Sequence, residues 1–160
     1  MSETKNAPIP HGIAICNPGN LRTGVQWQGA VGEDHGFLVF ANDLSGIRAA
    51  AINLWTARYV HHRHTISEII SAYAPPAENP TDSYIEYMAH AMGVEQHLAG
   101  KYVVHVDDPA ITIRFLQAQF VFEQGFPPPG WRSWPDWYCT KTMDAALAAA
   151  GHWPELEVTK

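Results

Sequence analysis

The sequence predicts one α+β domain, mainly α, with a single small β-hairpin near its start. Three observations carry this. Apolar residues recur at helical spacing through most of the chain after residue 42. Ahead of them, one short stretch pairs a cluster of turn residues with a strand-like apolar run. No internal repeat or low-complexity linker divides the 160 residues, a length that suits one core. Residues 1–11 are polar and proline-broken and read as a flexible arm, leaving 12–160 as the domain.

The elements follow in order. "CNPGNLRTG", residues 16–24, is dense in turn formers, with Asn17, Pro18, Gly19 and Asn20 favouring tight backbone geometry. "VQWQGAVGEDHGFLVFAN" reads as a hairpin whose second arm is Phe37 to Phe40 and whose turn is "GEDHG". In "NDLSGIRAAAINLWTARYV" the period becomes helical, and Leu44, Ile47, Ala51, Leu54, Trp55 and Arg58 fall near one face. "TISEIISAYA" opens with Thr65 and has Glu68 three residues on, a capping box. "TDSYIEYMAHAMG" is a further helix, with Thr81 as its cap and Gly93 as its stop. Asp108 and Pro109 open a helix that runs through Glu123, and "TMDAALAAAG" is a short last one ending at Gly151.

Charge and composition exclude several classes. The chain is 46% hydrophobic and 16% charged with a formal net charge of −6, and its ten basic residues are scattered, which leaves no nucleic-acid footprint. No apolar run is long enough to span a bilayer, and the polar N-terminus is not a secretory signal, so any work outside the cytoplasm is expected to need release or delivery by something else. Cys16 and Cys139 are two isolated thiols, expected to be free rather than paired. Of nine histidines, His61, His62 and His64 crowd one helix end, where they point apart and cannot share an ion. No metal and no cofactor is expected, and no serine has a nucleophile-elbow setting.

What remains is carboxylates among aromatics. In "FVFEQGFPPPGW", Glu123 stands inside an apolar, aromatic run that glycine and prolines then halt. Poor solvation raises a carboxyl pKa, the requirement for a general acid at neutral pH, although an ordinary exposed glutamate in the last helical turn fits the same letters. Trp27, Phe37, Tyr73, Tyr84, Trp131, Trp134 and Trp137 exceed what a small core needs, and Asn17, Asn20, Gln26, Gln28 and Asn79 lie in loops. Aromatic platforms beside amides suit a glycan cleft. The "WRSWPDWYC" segment reads more simply as an aromatic and proline patch packed over the core.

"CNPGNLRTGVQWQGAVGEDHGFLVFANDLSGIRAA" resembles the N-terminal block of a family of phage virion and prophage proteins. Its pattern runs NPGN-(I/L)-R, W-x-G, G-x-D-x-x-F-x-x-F and G-(I/L)-R-A. "SAYAPPAENPTDSYIEYMAHAMGV" is similar to that family's next block, W-A-P-x-x-E-N-x-T-x-x-Y, with Tyr73 in place of Trp, so the likeness covers most of residues 11–94. The order of "NPGNLR", "WQG", "FLVF" and "YAPPAENPTDSY" also loosely resembles flagellar and autolysin-type glucosaminidases of the lysozyme superfamily. In those enzymes a helix ending in the catalytic glutamate comes first. Here nothing helical is expected before Asn17, and the matching helix is the one ending at Glu123. Its end reads "FEQG" where relatives read "HENG", with Phe122 for His and Gln124 for Asn.

The resemblance implies a circularly permuted lysozyme-like domain that cleaves peptidoglycan glycan strands as a muramidase, glucosaminidase or lytic transglycosylase. It is of phage or delivered-toxin type and acts at the cell wall. Glu123 is then the general acid, Asp34 a second carboxylate from the hairpin, and Glu33 its substitute. If neither Asp34 nor Glu33 reaches the sugar, one acid suffices and the sugar's own hydroxyl attacks. Asn17, Asn20, Arg22, Trp27, Tyr73, Asn79 and Tyr84 are the expected substrate-binding residues. Partners implied are the glycan strand, a virion or secretion-system carrier and an inhibitor protein, with no nucleic acid and no membrane insertion. The alternative is a non-catalytic virion or wall-binding protein that keeps the scaffold.

Overall fold

A computed structural model describes residues 8–77, 79–131 and 135–157. The first seven residues of the arm, Glu78 and Trp134 lie outside them. The class is as the sequence predicts, mainly α with one two-stranded antiparallel sheet. In chain order the elements are α1 (His11–Ala14), β1 (Ala30–Asp34), β2 (Phe37–Phe40), α2 (Asp43–Tyr59), α3 (Ile66–Tyr73) and α4 (Thr81–Ala91). A 3-10 turn (Gln96–Leu98), α5 (Pro109–Gln124), α6 (Thr140–Ala150) and α7 (Pro154–Glu157) follow. One-turn α1 was not expected ahead of Asn17, because four residues carry no readable helical period.

Helix starts follow side-chain chemistry. Asn42 caps α2 by accepting from the Ser45 amide, Thr65 and Glu68 form the capping box of α3, and Asp108 accepts from the Ala110 amide at the start of α5. Thr81 does not cap α4. Its buried hydroxyl donates to the Ala74 carbonyl at 2.5 Å, tying α4 back to the end of α3. The hairpin turn is tighter than "GEDHG", since Gly32 to Asp34 belong to β1 and the turn is His35–Gly36, both with positive φ. That is the conformation a two-residue hairpin requires. Val31 bulges out of the ladder between Ala30 and Gly32.

The central element is α5, buried around most of its circumference through Phe115, Leu116, Ala118, Phe120 and Val121, and surrounded by α2, α4 and α6. This explains why its sequence shows little amphipathic contrast. Helix α2 is similarly enclosed, with Ile47, Ala49, Ala50, Ala51, Leu54 and Ala57 buried, whereas Leu44 is an exposed residue of its first turn rather than a core one. Trp137, Tyr138 and Trp153 complete the core, so the described part of the tryptophan-rich segment is packing. A smaller cluster of Leu21, Leu38, Phe40 and Ala49 fastens the hairpin to α2, with Trp27 packed on its edge. Both cysteines are free thiols.

Gly46 in α2 marks the closest approach to the turn before the hairpin. A Cβ there would lie 1.7 Å from the Cys16 carbonyl oxygen, a backbone atom with nowhere to rotate. Gly46→Ala should therefore destabilise the fold by about 2 kcal/mol or more, despite alanine's better helix propensity. Chemical denaturation checks this, and an unchanged midpoint would refute the close approach.

Candidate functional site

The site grows from a turn and a helix end. Asn17, Pro18 and Gly19 are buried, and the Asn20 amide donates to the Asn17 carbonyl at 3.1 Å, closing a tight turn. Asn17 supplies its scaffold. Fully buried, it accepts from the Leu21 amide and donates to the carbonyls of Leu21 and Leu38, each at 2.9 Å. Asn20 has a left-handed backbone with φ 53°, which asparagine tolerates better than most residues. This turns its side chain toward the end of α5. There its amide group donates to Glu123 Oε1 at 2.8 Å, and its carbonyl accepts from Gln124 Nε2 at 2.7 Å.

Gln124 locks this arrangement. Its amide also donates to the Pro18 carbonyl at 3.1 Å, and its Oε1 accepts from the Gly12 amide of α1 at 3.1 Å. The end of α5, the turn and α1 are thus held by one side chain. The local sequence gives no hint of that role, because the partners are more than a hundred positions away. Phe122 stacks on Tyr84 with ring centroids 3.9 Å apart. Both departures from the resembled "HENG" pattern therefore have structural work.

Glu123 is largely buried, and burial raises its pKa above the usual carboxylate range. The Asn20 hydrogen bond, the Tyr84 hydroxyl and the positive charge of Arg22 each pull the other way, without overcoming burial. The Tyr84 hydroxyl is itself buried and makes no well-aligned hydrogen bond, yet it lies close enough to the carboxyl that each perturbs the other. Tyr73 donates to the Gly19 carbonyl, and burial beside Glu123 pushes its phenol pKa far up. Within the aromatic run around the acid, Phe120 is in the core and Phe126 is exposed.

Glu123 opens onto a cleft of about 580 Å³ between the hairpin, α2 and α3. Asn20, Arg22, Phe37, Asn53, His61, Arg63, Tyr73, Asn79 and Gln119 contribute to its walls, and Glu123 is the one carboxylate among the described lining residues. Arg22 lays its guanidinium over Phe37, 4.7 Å from the ring centroid. Asn53, Arg63 and Gln119 were not singled out in the sequence, and His61 was considered only as a metal ligand. They come from mid-helix or loop positions whose direction only packing defines.

The structure brings together Glu123, Asn20, Arg22, Tyr73 and Asn79 at the cleft, with Tyr84 close to the acid but outside the cleft lining. It places Asn17 inside the turn and Trp27 against the hairpin cluster, where neither lines the cleft. Asp34 and Glu33 do not line it either. Glu33 stands exposed on β1, and Asp34 is engaged by His11 at 2.7 Å and His35 at 2.9 Å. The His11 hydrogen bond, then the charges of His35 and His11, hold Asp34 below the usual carboxylate range. His35 is the next residue in the hairpin, but His11 is 23 positions away and nothing in the hairpin sequence points to it.

No protein-family model matches the chain. Over 103 residues the chain is 33% identical to Protein P5 of Pseudoalteromonas phage PM2. The match covers 61% of this chain and 64% of that protein, so the chain spans less than two thirds of the relative's length.

Proposed function

We propose that the protein cleaves the glycan strands of peptidoglycan, with Glu123 as a lone general acid and then base. The observation that carries this is a largely buried carboxyl with a raised pKa, held by Asn20 at the wall of an open cleft without a second described carboxylate. In this reading Glu123 gives its proton to the glycosidic oxygen as the C1–O bond breaks. The sugar's own hydroxyl forms the new bond to C1, and its proton passes to the Glu123 carboxylate, which restores the acid. Attack from within the sugar needs no base-activated water, which accounts for a mechanism in which Asp34 and Glu33 take no part. Arg22 and Arg63 line the same cleft and suit the carboxylates of wall peptides, in a chain whose net charge is −6.

Several further features agree with a lysozyme-like domain whose acid-bearing helix comes late in the chain. Glu123 on α5 meets the "NPGN" turn at Asn20, the juxtaposition a permuted order requires. Likeness to a phage protein supports a phage or prophage origin; in this reading a virion or a secretion system is the carrier and the cell wall is the place of action. The same likeness also favours the second reading, a virion or wall-binding protein without chemistry.

Incubation of the protein with purified peptidoglycan, followed by mass analysis of the soluble fragments, separates these. Anhydro-sugar ends are expected. Reducing ends would instead mean that water attacks, and no release at all would overturn cleavage in favour of the binding protein.

A further inference from the structure

His11, Asp34 and His35 come from three different settings, the first residue of α1, the end of β1 and the hairpin turn. They converge nonetheless. His11 Nε2 is 2.7 Å from Asp34 Oδ2, and His35 Nδ1 is 2.9 Å from Oδ1 of the same carboxylate. One donor atom from each residue lies within 4.8 Å of the other two. The two imidazole rings stand nearly perpendicular, at 80° with centroids 5.9 Å apart, so they meet at the carboxylate instead of stacking on each other. His35 sits in a left-handed turn conformation that asparagine or glycine adopts more readily.

We propose that these three side chains form a binding site for a divalent transition-metal ion of the zinc class. Two imidazole nitrogens and one carboxylate oxygen are borderline donors, suited to zinc or its neighbours and poorly suited to calcium or magnesium, which want oxygen shells. Ligand atoms around a tetrahedral zinc stand about 3.3 Å apart. The two His–Asp contacts need to open by a few tenths of an ångström and the two imidazole nitrogens, within 4.8 Å of each other, to close by up to about 1.5 Å, a movement open to the half-exposed His11 ring and the largely exposed His35 ring. Solvent completes the coordination.

The ion would clip α1 to the hairpin turn. Helix α1 also donates through Gly12 to Gln124, which holds Asn20 against Glu123, so the clip braces the frame of the acid from its outer side. This inference does not rest on the peptidoglycan reading. It also moves Asp34 from a candidate catalytic group to a ligand, and it assigns metal chemistry to the hairpin and not to the histidine-rich run at 61–64.

Calorimetric titration of chelator-treated protein with zinc chloride tests it, together with the melting temperature in zinc. One equivalent is expected to bind and to raise the melting temperature. Asp34→Asn and His35→Asn should each weaken binding by about tenfold or more and abolish the thermal shift. Asparagine keeps the left-handed turn at position 35, so this variant should fold. The double variant His61→Ala, His62→Ala should bind as the unaltered protein does. Binding lost only in that double variant, binding unchanged in His35→Asn, or no saturable binding to the unaltered protein would each overturn the proposal.

Discussion

Glu123→Gln should lower the release of soluble wall fragments by about 100-fold or more, because glutamine keeps the shape of the side chain and removes the proton it transfers. The fold should survive, since glutamine's Oε1 still accepts from Asn20. Its stability should change in a way that reports the acid's environment. Burial raises the folded-state pKa of Glu123 above its unfolded value. The group's contribution to stability is then fully present below the unfolded pKa and is lost as pH rises through the folded one. A neutral glutamine does not titrate. The variant should therefore gain in melting temperature over the unaltered protein as pH rises toward the acid's raised pKa and keep that lead above it, and the difference should shrink toward pH 4. Activity of the unaltered protein should fall over the same rise, as the acid loses its proton. Equal fragment release by the two proteins would place the acid elsewhere, with Glu33 and Glu78 the next to substitute.

Asn17→Ala should destabilise the fold by about 3 kcal/mol or more, the largest stability loss expected at a polar side chain of this domain. The physical cause is specific. Asn17 is fully buried, and alanine would strip a partner from the Leu21 amide and from the Leu38 carbonyl, with no route for water to replace it. The loss should spread beyond the turn, because the same bonds join the turn to β2. Unfolding in denaturant gives the magnitude, and a midpoint shift below that of Gly46→Ala would show that the amide groups find other partners. Since Asn17 does not line the cleft, activity per folded molecule should persist at temperatures where the variant remains folded.

Much of the fold was legible in the chain. The capping box of α3, Asp108 and Pro109 at the start of α5, and the apolar run of β2 are local signals, set by backbone groups that seek partners within a few residues. They survive tertiary packing because packing seldom offers those groups anything better. Where it does, the local reading fails. Thr81 looks like a cap, but its hydroxyl finds the Ala74 carbonyl across the junction of two helices. Leu44 looks like core, but α2 turns that first-turn residue to solvent.

The sequence by itself determined the class of the fold, the starts of α3 and α5, and the singling out of Glu123, since an acid inside an aromatic run next to a helix-ending glycine is a local oddity. Only the tertiary structure decided what surrounds that acid. Asn20 and Gln124 are more than a hundred positions apart, and His11 and Asp34 are 23 apart, so no spacing rule connects them. The hairpin motif put Asp34 forward as a partner for Glu123. Its actual neighbours are histidines, because the one-turn helix α1, too short to show a period, folds back beside the hairpin. Side-chain direction depends on how whole elements pack, and that information is spread across the chain rather than written beside the residue it orients.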